Sequence, residues 1–299
     1  MKTLRQAVDE ARKAKVAVGH FNISNLEGFW AVVRAAQSLT AKSGREIPVI
    51  IGVSEGERDF VGVAQARALV DSVNAAGGYP PIYLNADHTY SYDRVKEVID
   101  AGYDSAIFDG TELSYDDNVA TTKKCVDYAR EVSKKTGRDI ILEAELGFIG
   151  KSSKVLDAIP AGVSFGEEAL TKVDMAKAFV DATGADMLAP AIGNMHGLLK
   201  NMPKPALNIP RIGEISKALG IPLVLHGGSG DSESDLIQAI DSGVAIVHVN
   251  TELRVAYRNG LRMSLQESPD EVAPYRYLKP ALLAMQAVVE KKLSIFNKI

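Results

Sequence analysis

The sequence predicts a (β/α)8 TIM barrel, a single α/β domain over residues 1–299 with an extra C-terminal helix. Three observations carry that expectation. Eight short apolar runs alternate with longer amphipathic stretches along the whole chain. Most of these runs are almost continuously apolar, as parallel strands covered on both faces are. Three of the five histidines lie at or after the ends of such runs, where a strand should hand over to a loop. Imidazoles on separate strand ends converge only if the strands are parallel and closed into a ring. An open Rossmann sheet would more often show about six strands.

The elements follow in order. MKTLRQAVDEARK opens the chain as a charged helix. The predicted strands are VAVGHF at 16–21, IPVIIGV at 47–53, PIYLNA at 81–86, SAIFDG at 105–110, DIILEAELG at 139–147, ADMLAP at 185–190, IPLVLH at 221–226 and VAIVHVN at 244–250. Helical patterns lie between them at 27–41, 57–76, 91–101, 116–136, 171–183, 209–219 and 232–242. Gly102, Gly137, Gly184, Gly220 and Gly243 stand where helices should close. Two segments break the rhythm, 147–170 after strand five and 192–209 after strand six. Long loops at the C-terminal face of a barrel serve as lids or binding loops. Residues 251–299 supply the eighth helix and a further one near 279–293, separated by Pro269, Pro274 and Pro280.

Composition narrows the function. With 299 residues and 46% hydrophobic content the chain can bury a large core. The formal charge of −4 comes without a basic tail or arginine-rich patch, so nucleic acid is excluded as a partner. The charged start is unlike a signal peptide and no apolar run reaches membrane length, which predicts a cytoplasmic protein with no membrane partner. Cys125 is the single cysteine, in a helical context, and reads as a packed thiol.

His88, in Asn85-Ala86-Asp87-His88, His196, in IGNMHG, and His226, in LHGGSG, are the metal-ligand candidates. Three imidazoles suit zinc or a similar divalent ion with a position left open for substrate. His20 and His248 also lie on strands and remain rival ligands. Asp87 precedes His88, and where the strand ends both can reach the mouth, so Asp87 can move protons beside the metal. Asp109 ends strand four and either reaches the substrate or caps the next turn. Glu143 and Glu145 alternate on strand five and so share a face; a metal or a cation must compensate an inward carboxylate pair. Glu145 is nearer the mouth and is the better candidate for an alternate or adjacent ligand.

A phosphate cradle is predicted beside the histidines. Gly227 and Gly228 let the backbone approach an anion, Ser229 offers a hydroxyl, and a helix begins just after. Asn250 and Thr251 open another helix after strand eight, and barrels commonly bind phosphate between these two loops. Gly197 can add a further N–H. Neither GxGxxG after an early strand nor GxxxxGK[ST] occurs, which speaks against dinucleotide or nucleoside triphosphate binding.

Taken together these residues resemble the class II, metal-dependent ketose-bisphosphate aldolases. The likeness runs in order through FNISNLE at 21–27, VIIGVSEGE at 49–57, Asn85 to His88, SAIFDGTELSYDDNV at 105–119, EAELGFIG at 143–150, AIGNMHG at 191–197, PLVLHGGSG at 222–230 and VNTELR at 249–254. It implies a zinc-dependent enzyme that reversibly cleaves a ketose bisphosphate, fructose 1,6-bisphosphate or its tagatose isomer, to triose phosphates. By this resemblance His88, His196 and His226 hold the zinc, Asp87 is the catalytic aspartate and Glu145 lies beside the metal. Gly197, Gly227, Ser229, Asn250 and Thr251 surround a phosphate, Asn25 and Ser54 lie near substrate, and the protein forms a homodimer or homotetramer.

The departures from the family pattern fall on substrate contacts. Asn85 stands where the family has His. The family's acidic pair is missing after Gly150, so the second acid–base group must come from elsewhere in 147–170, with Asp157, Glu167 and Glu168 as the available carboxylates. His248 replaces an Asn that contacts dihydroxyacetone phosphate. Tyr275 aligns with an Arg that binds the far phosphate, leaving Arg276 one place later. Another sugar-phosphate reaction such as epimerisation or hydrolysis, a ketose-monophosphate aldolase, or a catalytically silent phosphate-binding barrel are the alternatives. Product analysis separates them, since aldol cleavage alone yields two carbonyl fragments.

Overall fold

The computed structural model describes residues 2–150, 153–159 and 163–299. Eight parallel strands close into a barrel in sequence order. They are β1 Val18–Asn22, β2 Val49–Val53, β3 Ile82–Thr89, β4 Ser105–Phe108, β5 Ile141–Leu146, β6 Met187–Pro190, β7 Leu223–Leu225 and β8 Val244–Val249, and β8 pairs back onto β1 with His20 opposite His248. Each overlaps one of the apolar runs, and the TIM-barrel expectation holds.

The helices form for local reasons. Thr3 and Gln6 make a reciprocal capping box at the start of Leu4–Lys13. Ser91, Ser114 and Ser232 each accept a backbone N–H at the start of the helices after β3, β4 and β7. Gly137, Gly184 and Gly220 close three helices in the left-handed conformation. The single helix expected over 57–76 is instead two, Glu55–Val61 and Val63–Ala76. Gly62 has φ +96°, which cannot continue a helical turn, so the chain breaks there. The last helix, Lys279–Asn297, is longer than expected, and the proline-rich segment before it holds a short turn of helix at Pro274–Tyr277. Among the described residues no helix is long and apolar enough to cross a membrane.

The barrel interior changes character along its axis. At the N-terminal end Val18, Ile50, Tyr83, Ile141, Met187, Val224 and Ile246 pack with Leu4, Ala7, Val8 and Ala11 of the first helix, which plugs that end. Each buried Leu, Val, Ile or Met side chain here stabilises the fold by about 1.5–3 kcal/mol. Two residues further along the strands the same inward face carries His20, Gly52, Asn85, Glu143 and His248, so alternation turns an apolar floor into a polar layer. A second, larger apolar cluster fills the space between strands and surrounding helices. At the mouth the two long loops are joined: Val155–Leu156 pairs in parallel with Leu198–Leu199.

Candidate metal centre

A backbone irregularity brings Asp87 and His88 to the mouth together. The register between β3 and β4 shifts between Ala86 and Thr89, and His88 takes φ +30°. A side chain in that region is strained, and such strain concentrates at functional sites. The irregularity lets two adjacent residues, which on a regular strand would face opposite ways, lie beside one another.

His88, His196 and His226 converge, with one ligand atom of each lying within 4.8 Å of the others. Each ring has its remaining nitrogen tied outward. His88 Nδ1 is 2.9 Å from Asp109 Oδ2, His196 Nδ1 is 2.5 Å from the carbonyl oxygen of Gly150, and His226 Nε2 is 2.7 Å from Glu143 Oε1. Such partners fix tautomer and ring orientation in metal sites. With protons on those outward nitrogens, lone pairs remain on His88 Nε2, His196 Nε2 and His226 Nδ1. The first two lie 3.2 Å apart, a contact that a proton on His88 Nε2 bridges in metal-free protein and that a divalent ion can replace. His226 Nδ1 and Glu145 Oε2 are buried and lack any hydrogen-bond partner. Orphaned buried acceptors are rare in folded proteins, and these fit a divalent ion of the zinc type.

The electrostatics agree. Burial lowers His196 and His226 to about 3, helped by the charge on His88, so both are neutral and available as ligands. Burial also opposes charge on His88, but Asp87, Asp109 and Glu145 overcome it and hold this ring up at about 10. Without a metal, then, His88 carries the cation of the site. Burial raises Glu143 and Glu145 well above the usual carboxylate range, with Asp87 and Asp109 respectively adding to the shift. Asp87 stays low despite burial, because His88 and His248 favour its charged form.

The rivals His20 and His248 occupy a different place. Their rings stack face to face at 3.5 Å and 3°, and His248 stacks on His226 at 4.2 Å. His20 and His248 form, with Asp87, a second cluster whose ligand atoms lie within 4.8 Å of one another, deeper in the polar layer. His20 Nε2 lies 3.0 Å from Asn85 Nδ2, whose Oδ1 accepts from Ser105. Gly52 admits the His20 ring, since a Cβ there would stand 2.1 Å from its Cε1. His248 Nδ1 lies 3.3 Å from Asp87 Oδ1.

Asp87 is only 4% exposed. Its Oδ2 accepts from Asn22 Nδ2 at 2.9 Å, whereas Oδ1 makes no aligned hydrogen bond. A pocket beside it brings together Asn22, Asp87, His88, Ser153, His196, Gly197, Gly227, Ser229, His248, Asn250 and Thr251. Two of the predicted metal ligands, His88 and His196, therefore share one depression with the predicted phosphate residues Gly197, Gly227, Ser229, Asn250 and Thr251.

Four candidate residues have partners that the sequence did not specify. Asp109 neither reaches out nor merely caps; it holds His88 through one oxygen and Thr111 through the other. Asn25 caps helix Leu26–Ser43 through Gly28 N–H at 2.9 Å. Ser54 caps Glu55–Val61, its N–H donating to Glu57 at 2.8 Å. Neither Asn25 nor Ser54 is among the residues around the pocket. Arg276 is turned to Glu271 at 3.2 Å with most of its side chain in solvent. Sequence reasoning missed Arg254, on the first turn after β8, whose Nη2 is 2.6 Å from Glu57 Oε1 and whose Nη1 is 3.4 Å from the carbonyl of Ser153. Glu57 in turn accepts from Asn22. Of the 147–170 loop, residues 151–152 and 160–162 lie outside the described residues. Asp157 pairs with Lys200, Glu167 with Arg211, and Glu168 accepts from Ser164, all away from the three imidazoles.

Comparisons with known proteins concern the chain as a whole. A family model described as class-II fructose-bisphosphate aldolase matches residues 2–299. The chain is 34% identical to the fructose-bisphosphate aldolase of Staphylococcus aureus, over 99% of this chain and 96% of that one. It is 33% identical to the probable fructose-bisphosphate aldolase of Bacillus subtilis, over 99% and 97%. Among solved structures, a putative fructose-1,6-biphosphate aldolase from Coccidioides immitis matches with a TM-score of 0.79 at 28% identity, over 98% of this chain and 96% of that chain. The YdjI aldolase from Escherichia coli matches with 0.78 at 27% identity, over 98% and 96%. A chain matched end to end by the family model, with its polar residues gathered at the mouth of a closed barrel, belongs to the class II fructose-bisphosphate aldolase family of carbon–carbon lyases.

Proposed function

We propose that the protein cleaves a ketose 1,6-bisphosphate reversibly, using zinc, and that fructose 1,6-bisphosphate is the substrate, giving dihydroxyacetone phosphate and glyceraldehyde 3-phosphate. The observation that carries this reading is the set of three outward-tied imidazoles with the free Oδ1 of Asp87 beside them. A divalent ion held by His88, His196 and His226 would supply Lewis-acid stabilisation of the charge that develops on the substrate carbonyl as the carbon–carbon bond breaks. Asp87 takes the hydroxyl proton through Oδ1 and returns it in the condensation direction. Asn22 keeps that carboxylate oriented through Oδ2. Gly197, Gly227, Ser229, Asn250 and Thr251 hold one phosphate, which fixes the reacting carbons relative to Asp87.

We assign the far phosphate to Arg254 rather than Arg276. Arg254 reaches Ser153, which lines the pocket, and Glu57, which contacts the pocket residue Asn22, and a guanidinium offers five N–H donors, which suit a phosphate. We also infer a cytoplasmic homodimer or homotetramer. An apolar groove that includes Leu26, Val61, Leu69 and the 79% exposed Phe60 favours self-association.

The test is turnover of zinc-loaded protein on the fructose and tagatose 1,6-bisphosphates and on the matching 1-monophosphates, with both products measured. Two carbonyl fragments and a preference for the fructose bisphosphate are expected. Arg254→Ala should lose mainly the preference for the bisphosphate. A single epimerised product, or no turnover of any of the four, would overturn the reading.

A further inference from the structure

Two buried lysines hold the backbone turns that line the pocket, and neither is among the metal-ligand candidates. Lys204, in the loop after β6, has a side chain only 3% exposed. Its Nζ donates to the carbonyl oxygens of Met195 at 2.7 Å and Gly227 at 2.5 Å. Lys292, in the C-terminal helix, is 4% exposed. Its Nζ donates to the carbonyl oxygen of Gly228 at 3.2 Å and pairs with Glu252 at 2.9 Å. Removing an ammonium from water is costly unless compensating contacts are fixed in place. Here the principal acceptors are backbone carbonyls of the turns that carry His196 and His226.

We propose that Lys204 and Lys292 are positioning residues that set the phosphate-binding backbone. The proposal rests on the phosphate reading of the pocket given above. Met195 precedes His196, and Gly227 follows His226, so one ammonium ties the two turns together. They touch closely: a Cβ on Gly227 would lie 2.2 Å from the Met195 carbonyl oxygen, and this residue has φ +71°. In a planar trans peptide the carbonyl and the following N–H point in opposite directions. Lys292 holding the Gly228 carbonyl therefore turns the Ser229 N–H away from the lysine. Lys204 holding the Gly227 carbonyl likewise sets the Gly228 N–H, which donates to the carbonyl of His248 at 2.9 Å and ties the turn to β8. Glu252 completes the frame by accepting Gly230 N–H at 2.5 Å while it pairs with Lys292.

Each ammonium also has a carboxylate neighbour. Asp231 lies 3.6 Å from Lys204, and Glu252 lies beside Lys292. The charges are compensated in pairs, so the work of the lysines is orientation rather than a net field. The same geometry explains what the extra C-terminal helix contributes: it carries one of the two ammoniums to the backbone turns of the pocket.

The experiment measures binding of inorganic phosphate by calorimetry, independently of turnover, and KM and kcat where turnover is present. Lys204→Ala should weaken phosphate binding roughly 10–100-fold, the range of a lost hydrogen bond to a charged group, and should raise KM more than it lowers kcat. Added ammonium ion should restore part of the loss by refilling the space between the Met195 and Gly227 carbonyls. Lys204→Gln, which keeps N–H donors without the charge, should fall between the two and guards against a variant that fails to fold. Lys292→Met should weaken phosphate binding in the same direction. Folded variants that bind phosphate as tightly as the unaltered protein would overturn the proposal, as would a lower melting temperature with neither weaker binding nor ammonium rescue. If the unaltered protein binds no phosphate at all, the cradle reading falls and takes this proposal with it. Intact binding in both protein and variants removes this proposal alone.

Discussion

Replacing Glu143 should weaken metal binding without touching the metal. Glu143 is 1% exposed, and its Oε1 lies 2.7 Å from Nε2 of the fully buried His226. To offer Nδ1 as a ligand, His226 must keep its proton on Nε2 and donate it to a Glu143 oxygen. Glu143→Ala leaves that N–H unpartnered where no solvent reaches. A buried donor without a partner costs about 1–3 kcal/mol, and tenfold corresponds to about 1.4 kcal/mol. The expected loss in zinc affinity is therefore roughly 5–150-fold, which matches the ~10–100-fold typical of partners behind metal-bound histidines. Glu143→Gln keeps an oxygen acceptor and should lose less than about tenfold on the same argument. Competition against a chromophoric zinc chelator at neutral pH reads both variants. An Ala variant within roughly twofold of the unaltered protein would refute the reasoning that Glu143 orients His226.

Three further outcomes are expected. Asp87→Ala should lower turnover by roughly 10²–10⁴-fold with metal content retained; loss of metal in step with activity would make Asp87 a ligand instead. His88, held at about 10 by Asp87, Asp109 and Glu145 against burial, must give up its proton to a metal, so zinc affinity should rise with pH from neutral towards 10. The same shift gives a stability sign: its folded value exceeds the unfolded one, so its contribution to metal-free protein is full below about pH 6.5 and is lost as pH rises towards 10. Calorimetry of zinc binding in buffers of different ionisation enthalpy counts the released protons, and a count of zero would contradict this. Burial pushes the Cys125 thiol up to about 12, so a disulfide exchange reagent should leave the native protein unmodified and react fully only after denaturation.

The barrel was legible because parallel strands must be apolar on both faces, and eight such runs stand out in the chain. The three convergent histidines were legible for a related reason, since each lies at or after the end of such a run. Sequence periodicity, however, reports which face a residue occupies and not how deep it sits. Glu143 and Glu145 share a face, yet one binds His226 and the other is left without a partner on Oε2. His20 and His248 also face inward, but their mutual stacking follows from the pairing of β1 with β8, which closes the ring over the full length of the chain. Arg254 and Arg276 lie beyond the regular strands, where backbone direction sets each guanidinium's partner. Lys204 and Lys292 left no signal at all, because their partners include carbonyls that every residue carries.

The most direct measurement is anomalous diffraction at the zinc edge from crystals of the zinc-loaded protein. The account predicts one strong peak about 2.0–2.1 Å from each of His88 Nε2, His196 Nε2 and His226 Nδ1, with the outward contacts to Asp109, Gly150 and Glu143 retained. A peak held instead by His20 or His248, or zinc bound only at the surface while these three rings stay empty, would contradict it.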